Sequence, residues 1–204
     1  MAGMILAAAG LLWLAATLLD RAFMAFCFTR LSCVVIAVLF AVWALGMGSR
    51  LQGQGRAVQD WCRTQAAGIA VSILLTAAIF GSAPPYFRLL ADETNLLAVS
   101  KSMMMNGGTG NTIEGFFQYF NFYPLQDVYE KRPFLFPFMV QLLHLVRGYH
   151  SGNPFILNFM ALAALFLILF TAARRRYGVL TGIAAVFFVA AQPLTGQTAA
   201  SAGF

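Results

Sequence analysis

Apolar runs divide this chain more sharply than any motif does. Met4 to Leu19, Leu31 to Gly48, Ala66 to Phe80, Phe155 to Ala173 and Val179 to Ala191 carry no charged residue. A helix that crosses a bilayer needs roughly 17–25 predominantly apolar residues. Soluble domains carry about 25% charged residues, whereas here 10% are charged and 60% are hydrophobic. The expectation is an all-α polytopic membrane protein with about five spanning helices, because only elements that satisfy their own backbone can cross hydrocarbon. Met4–Leu19 has no basic leader and no cleavage site after it, so it reads as an anchor rather than a removed signal peptide.

One further apolar stretch, Phe134 to Val146, is too short to span and is interrupted by Gln141 and His144. Charge decides where it goes. If it crossed, Arg174-Arg175-Arg176 and the Arg50, Arg56, Arg63 segment would lie on opposite sides. If it lies in the interface, both fall on one side, as the positive-inside bias requires. The loops so assigned to the inside hold six arginines against one acid, Asp60, while Ser82 to Arg132 holds four cations against five acids. The expected topology is therefore a cell-membrane protein with a cytoplasmic N-terminus and an external loop over 82–153. Residues 1–81 supply three spans, 82–153 the loop with two interfacial helices, and 154–204 two more spans of what is expected to be a longer bundle.

The external loop is the one long polar segment. Asp92-Glu93 opens it after Pro84-Pro85, which cannot continue a regular helix. Leu96, Val99 and Met103 recur at helical spacing, widened by Leu97 and Met104, and Asn106-Gly107-Gly108 is a natural stop. That helix is expected to lie flat on the membrane, apolar side down. The aromatic cluster Phe116 to Tyr123 reads as an interfacial belt, and Lys131-Arg132 closes the loop as a cationic anchor. Taken alone, Asp92 and Glu93 read as a helix cap, and His144 and His150 as interfacial residues. Cys27, Cys33 and Cys62 show no metal-ligand spacing. No metal, cofactor or nucleic-acid partner is indicated. Gly178 and Gly182 have a small-xxx-small spacing that permits close helix approach but is common by chance.

In combination these elements resemble a known family. An acidic pair, then "ETNLLAVSKSMMMNGG", "YEKRPFLFPFMVQLLHLVRGYH" and "ARRRYG", over about Ala91 to Gly178, is similar to the N-terminal part of GT-C class membrane glycosyltransferases. The nearest type is family 39, with protein O-mannosyltransferases and aminoarabinose transferases. The resemblance implies transfer of a sugar from a polyprenyl-phosphate donor to a hydroxyl of a lipid or glycan acceptor, with inversion. It implies Asp92 or its neighbour Glu93 as catalytic carboxylate, and Lys131 with Arg132 at the lipid phosphate. Arg132 stands where the family has the first proline of Lys-Pro-Pro, and two spans precede the one leading to the acids where the family has one. The chemistry suits such residues. A fixed cation stabilises charge that develops on the departing phosphate, and a carboxylate deprotonates the attacking hydroxyl. A non-catalytic membrane scaffold whose loop binds a partner is the alternative. A transporter is disfavoured, since the spans hold no ionisable residue between their ends.

Overall fold

The computed structural model describes residues 9–13, 21–87, 91–118, 121–129 and 132–202. The described chain is mostly helical. Helix α1 runs as Arg21–Phe26, a π-helical turn at Cys27–Leu31, and Ser32–Leu51. Helix α2 is Gly55–Thr64, α3 Ala66–Ser82 and α4 Ala91–Asn106. Strands β1 (Gly110–Gln118) and β2 (Asn121–Tyr129) follow, then α5 (Leu135–Arg147), α6 (Asn153–Tyr177), α7 (Val179–Ala190) and α8 (Pro193–Ala199).

Two helices are long and apolar enough to cross a membrane, Phe23–Leu51 and Asn153–Tyr177, or up to four if two bent pairs each count as one span. The pairs are α2 with α3, bent by 65°, and α7 with α8, bent by 71°. Of the five expected spans, Met4–Leu19 lies mostly outside the described residues. Leu31–Gly48 and Phe155–Ala173 fall inside the two long helices, and the other two exist only as parts of the bent pairs. The second bend has a local cause. Pro193 disfavours helical geometry in the residue before it, and Gln192 is extended at φ −73°, ψ 127°. Left alone, the 12 residues of α7 reach only about 18 Å at 1.5 Å per residue.

Two packed clusters hold these helices. Ile79, Leu162, Phe166, Phe170, Val186 and Ala199 join α3, α6, α7 and α8, while Cys33, Val99, Met103 and Phe138 join α1, α4 and α5. Around them the apolar faces stay uncovered: Val34, Val38, Val42 and Leu45 of α1, Ile168 of α6, and Leu180 and Phe188 of α7 are all exposed. Water does not tolerate so broad an apolar surface on a lone soluble protein, and hydrocarbon does.

Three sequence expectations are corrected. The helix begun at Leu31 starts ten residues earlier, through the π-turn. The apolar stripe of α4 does not face a membrane, because Leu96, Val99 and Met103 are buried and the α1 and α5 side chains cover Val99 and Met103. The fold is also not purely helical. Antiparallel β1 and β2 pair from Gly110↔Tyr129 to Gln118↔Asn121, with irregular register around Glu114. Residues of the aromatic run thus lie in strands, a conformation that aromatic side chains favour on a pleated surface.

Candidate functional site

Arginines gather at one end of the helices. Arg174, in the last turn of α6, donates to the carbonyl of Thr64 and, at 3.3 Å, to Oε1 of Gln65. The chain end of α6 thereby meets the junction of α2 and α3, and both arginine-rich stretches share that end. Helix α4 follows α3 at the opposite end.

Three polar contacts fix α4 there. At its start, Glu93 is buried and accepts a hydrogen bond from the Ser201 hydroxyl, a residue that follows α8. The Ser201 carbonyl in turn accepts from Asn158 of α6, and the amide of Tyr86 donates to Ala200 at 3.3 Å. At the far end, Gly107 takes the positive φ of 60° that stops the helix. Thr109 then docks on the π-turn of α1, its amide on the Thr29 carbonyl at 2.7 Å and its hydroxyl on the Phe28 carbonyl at 2.6 Å. A π-turn displaces carbonyls from their usual helical partners, and Thr109 uses two of them. Arg30 on the same turn donates to the carbonyl of Asn106.

The middle contact was not foreseen. His144 of α5 is 1% exposed, so it does not face an interface. Its Nε2 lies 3.1 Å from the hydroxyl of Ser100 on α4, and its Nδ1 lies 2.6 Å from Nδ2 of Asn153 at the start of α6. A serine, a histidine and an amide in series suggest a nucleophile, but the hydrogen-bond directions do not allow it. Arg147 donates to Asn153 Oδ1 at 3.1 Å, and Asn153 Nδ2 donates to the Gly148 carbonyl at 3.1 Å. The amide nitrogen therefore faces the ring and donates to Nδ1. Nε2 must then carry the proton and donate to Ser100, whose own hydroxyl donates to the Leu97 carbonyl at 2.7 Å. His144 is no base for Ser100. Burial pushes the imidazole below its ordinary pKa of 6.5, with the Gly148 carbonyl, which favours the charged ring, opposing and His150 adding to the depression. The Tyr149 ring packs against His144 at 5.0 Å, tilted by 54°, Lys101 sits 5.0 Å over the Tyr149 ring, and burial raises the Tyr149 phenol.

The four expected site residues fare unequally. Asp92 lies in the first turn of α4, but its side chain is outside the described ones, as is all of Lys131. Glu93 is buried against Ser201. Arg132 is half-buried just ahead of α5, and α5 runs back along α4: His144 meets Ser100, and Gln141 donates to the Met103 carbonyl at 3.5 Å. Phe134 shares a groove with Cys27 and Leu31, beside the turn that receives Thr109. Arg132 thus belongs to the C-terminal end of α4, and Glu93 to the other end, roughly 20 Å away along the axis at 1.5 Å per residue. The described residues do not bring acid and cation into one cavity. Among them no three of His, Cys, Asp and Glu are grouped to hold a metal ion.

Comparison with protein-family models, with curated proteins and with solved structures finds no match.

Proposed function

We propose that this chain is a polytopic membrane protein with its arginine-rich end in the cytoplasm and residues 82–153 on the external face. On that face it transfers a sugar from a polyprenyl-phosphate donor to a lipid or glycan hydroxyl. The observation that carries the topology is the contact of Arg174 with Thr64 and Gln65. It sets the triple arginine of α6 beside the α2–α3 junction that follows Arg63 and leaves the acid-bearing helix at the other end of α3, in keeping with the positive-inside bias. The enzymatic part is supported by the order of the acidic pair, the Lys131-Arg132 pair and the triple arginine. In this reading Asp92 is the base, since Glu93 is already engaged by Ser201, and Lys131 meets the lipid phosphate. Inversion follows from a single carboxylate acting opposite the leaving group.

The test is transfer from an undecaprenyl-phosphate hexose by the full chain in proteoliposomes. Asp92→Asn should remove activity and Lys131→Ala should lower it by about 10²–10³, the usual loss of a group that stabilises developing charge. Both should insert normally. Activity of Asp92→Asn near wild type would eliminate the base assignment.

A second reading, a non-catalytic membrane scaffold whose external loop binds a partner, is favoured by one observation: Glu93 and Arg132 belong to opposite ends of α4. Absence of transfer by the wild type, with a partner retained on the intact loop, would select it.

A further inference from the structure

At the arginine-rich end, α2 and α6 form a groove of about 410 Å³ lined by Trp61, Ala164, Leu167, Ile168, Thr171, Ala172 and Arg175. Four of these lining residues are apolar aliphatics, and the small Ala164 and Ala172 make the depression between larger neighbours. Two features do not suit an ordinary lipid-facing surface. Thr171 Oγ1 is buried and has no hydrogen-bond partner among the described residues. Elsewhere helical threonines satisfy themselves on the carbonyl one turn back, as Thr29, Thr64, Thr76, Thr181 and Thr198 do. A buried hydroxyl left without a partner is costly, so Thr171 is suited to an acceptor that comes from outside the chain. The second feature is Arg175, exposed at the mouth of the groove one helical turn beyond Thr171.

We infer that this groove binds one anionic phospholipid of the leaflet at the arginine-rich end. The acyl chain lies along Ala164, Leu167, Ile168 and Ala172, and the phosphate meets Arg175. Residues four apart on a helix share a face and are separated by about 6 Å along the axis. Thr171 therefore lies below Arg175 by about the depth at which a glycerolipid carries its ester carbonyl, the acceptor that the hydroxyl lacks. Trp61, exposed on the amphipathic α2, walls the groove where indole rings settle at membrane interfaces. Charge complementarity favours an anionic head. Arg56 and Arg63 flank Trp61 on α2, against one acid, Asp60. Basic pockets between membrane helices recognise anionic headgroups on the same grounds. The inference rests on the membrane reading above but not on the glycosyltransferase chemistry.

The experiment reconstitutes the full chain in nanodiscs of equimolar phosphatidylglycerol and phosphatidylcholine, extracts it in mild detergent and reads retained lipid by native mass spectrometry. Wild type should retain one phosphatidylglycerol in preference to phosphatidylcholine. Arg175→Gln should reduce that preference about fivefold, the effect of one arginine at an anionic surface, and Arg175→Lys should keep most of it. Thr171→Val should weaken retention of both lipids alike, because both carry the ester carbonyl. Arg176→Gln, outside the groove, should change nothing. Equal losses in Arg175→Gln and Arg176→Gln would reduce the effect to diffuse surface charge and overturn the site. So would equal retention of the two lipids by wild type, or a second copy of the chain held in place of lipid. Carbonate extraction of native membranes separates the two failures. Release of wild type into the soluble fraction takes down the membrane reading and this inference together, whereas retention without lipid preference takes down the inference alone.

Discussion

Alanine at Gly68 tests a close approach of α3 and α6. A Cβ there would lie 2.2 Å from Cδ1 and 2.5 Å from Cε1 of Phe170, where carbon atoms prefer about 3.5–4.0 Å. The ring has no easy retreat. It is wholly buried, and on another side a Cβ at Gly182 would meet it at 2.9 and 3.0 Å. Phe170 of α6 is thus a knob gripped by glycines of α3 and α7. Overpacking of this kind costs about 1–3 kcal/mol, and an overlap exceeding an ångström belongs at the upper end. Alanine recovers about 1 kcal/mol of helix propensity over glycine, which leaves a net loss of about 2 kcal/mol. Gly46, where an added Cβ would meet nothing within 4 Å, supplies the control: Gly46→Ala should be neutral or stabilising by up to about 1 kcal/mol. Denaturant titration in mixed micelles measures both, and Phe170→Leu in the Gly68→Ala background should restore part of the loss. Gly68→Ala at least as stable as Gly46→Ala would refute the knob.

Two further outcomes follow from the polar contacts of α4. His144 has a folded pKa below its ordinary 6.5, so the unfolded chain binds the extra proton first. Stability should be full above pH 6.5 and should fall as pH drops below it toward the depressed value. Thermal unfolding at stepped pH should show this slope in wild type, and an equal slope in His144→Gln would assign it elsewhere. Ser201→Ala removes a donor from the buried Glu93 and should cost about 1.5–3 kcal/mol, the range for hydrogen bonds to charged groups; a loss under about 0.5 kcal/mol by denaturant titration, below the range of even a neutral hydrogen bond, would show that Ser201 does not hold the acid.

Local pattern carried the sequence reading as far as elements whose stability is local. The α4 stripe of Leu96, Val99 and Met103, the stop at Asn106-Gly107-Gly108, the shortness of the helix before Arg147 and the sharing of one end by the two arginine stretches all follow from periodicity or charge placement. The β-hairpin did not, because Phe116 to Tyr123 reads as a belt when the surroundings are helical. Its signal was present in two strand-like runs either side of 119–120. Glu93 with Ser201, Ser100 with His144, and Thr109 with Thr29 are 108, 44 and 80 positions apart in sequence, and no local rule joins them. His144 in particular is a lone histidine on an apolar helix, and only its neighbours show that it is a locked donor. Gly182 had a spacing too common to weigh until Phe170 was found against it.

The offset along α4 sharpens what the enzymatic reading requires of Lys131 and Arg132. Phe134 is fixed beside the π-turn of α1 by the groove it shares with Cys27 and Leu31, at the end of α4 away from the acids. Lys131 precedes Phe134 by three residues, and three extended residues reach at most about 10 Å, half of the roughly 20 Å that α4 covers between Glu93 and Asn106. The Lys131 and Asp92 side chains, with the sugar phosphate between them, would have to bridge the remainder. Arg132, one residue closer to Phe134 in sequence, has the shorter backbone reach from that anchor. If Asp92 is the base, Arg132→Ala should therefore leave transfer within about threefold of wild type while Lys131→Ala loses the 10²–10³ expected of a charge-stabilising contact. Equal, large losses in both variants would place the phosphate at the C-terminal end of α4, and the base would then have to be sought among residues near Asn106 instead of at Asp92.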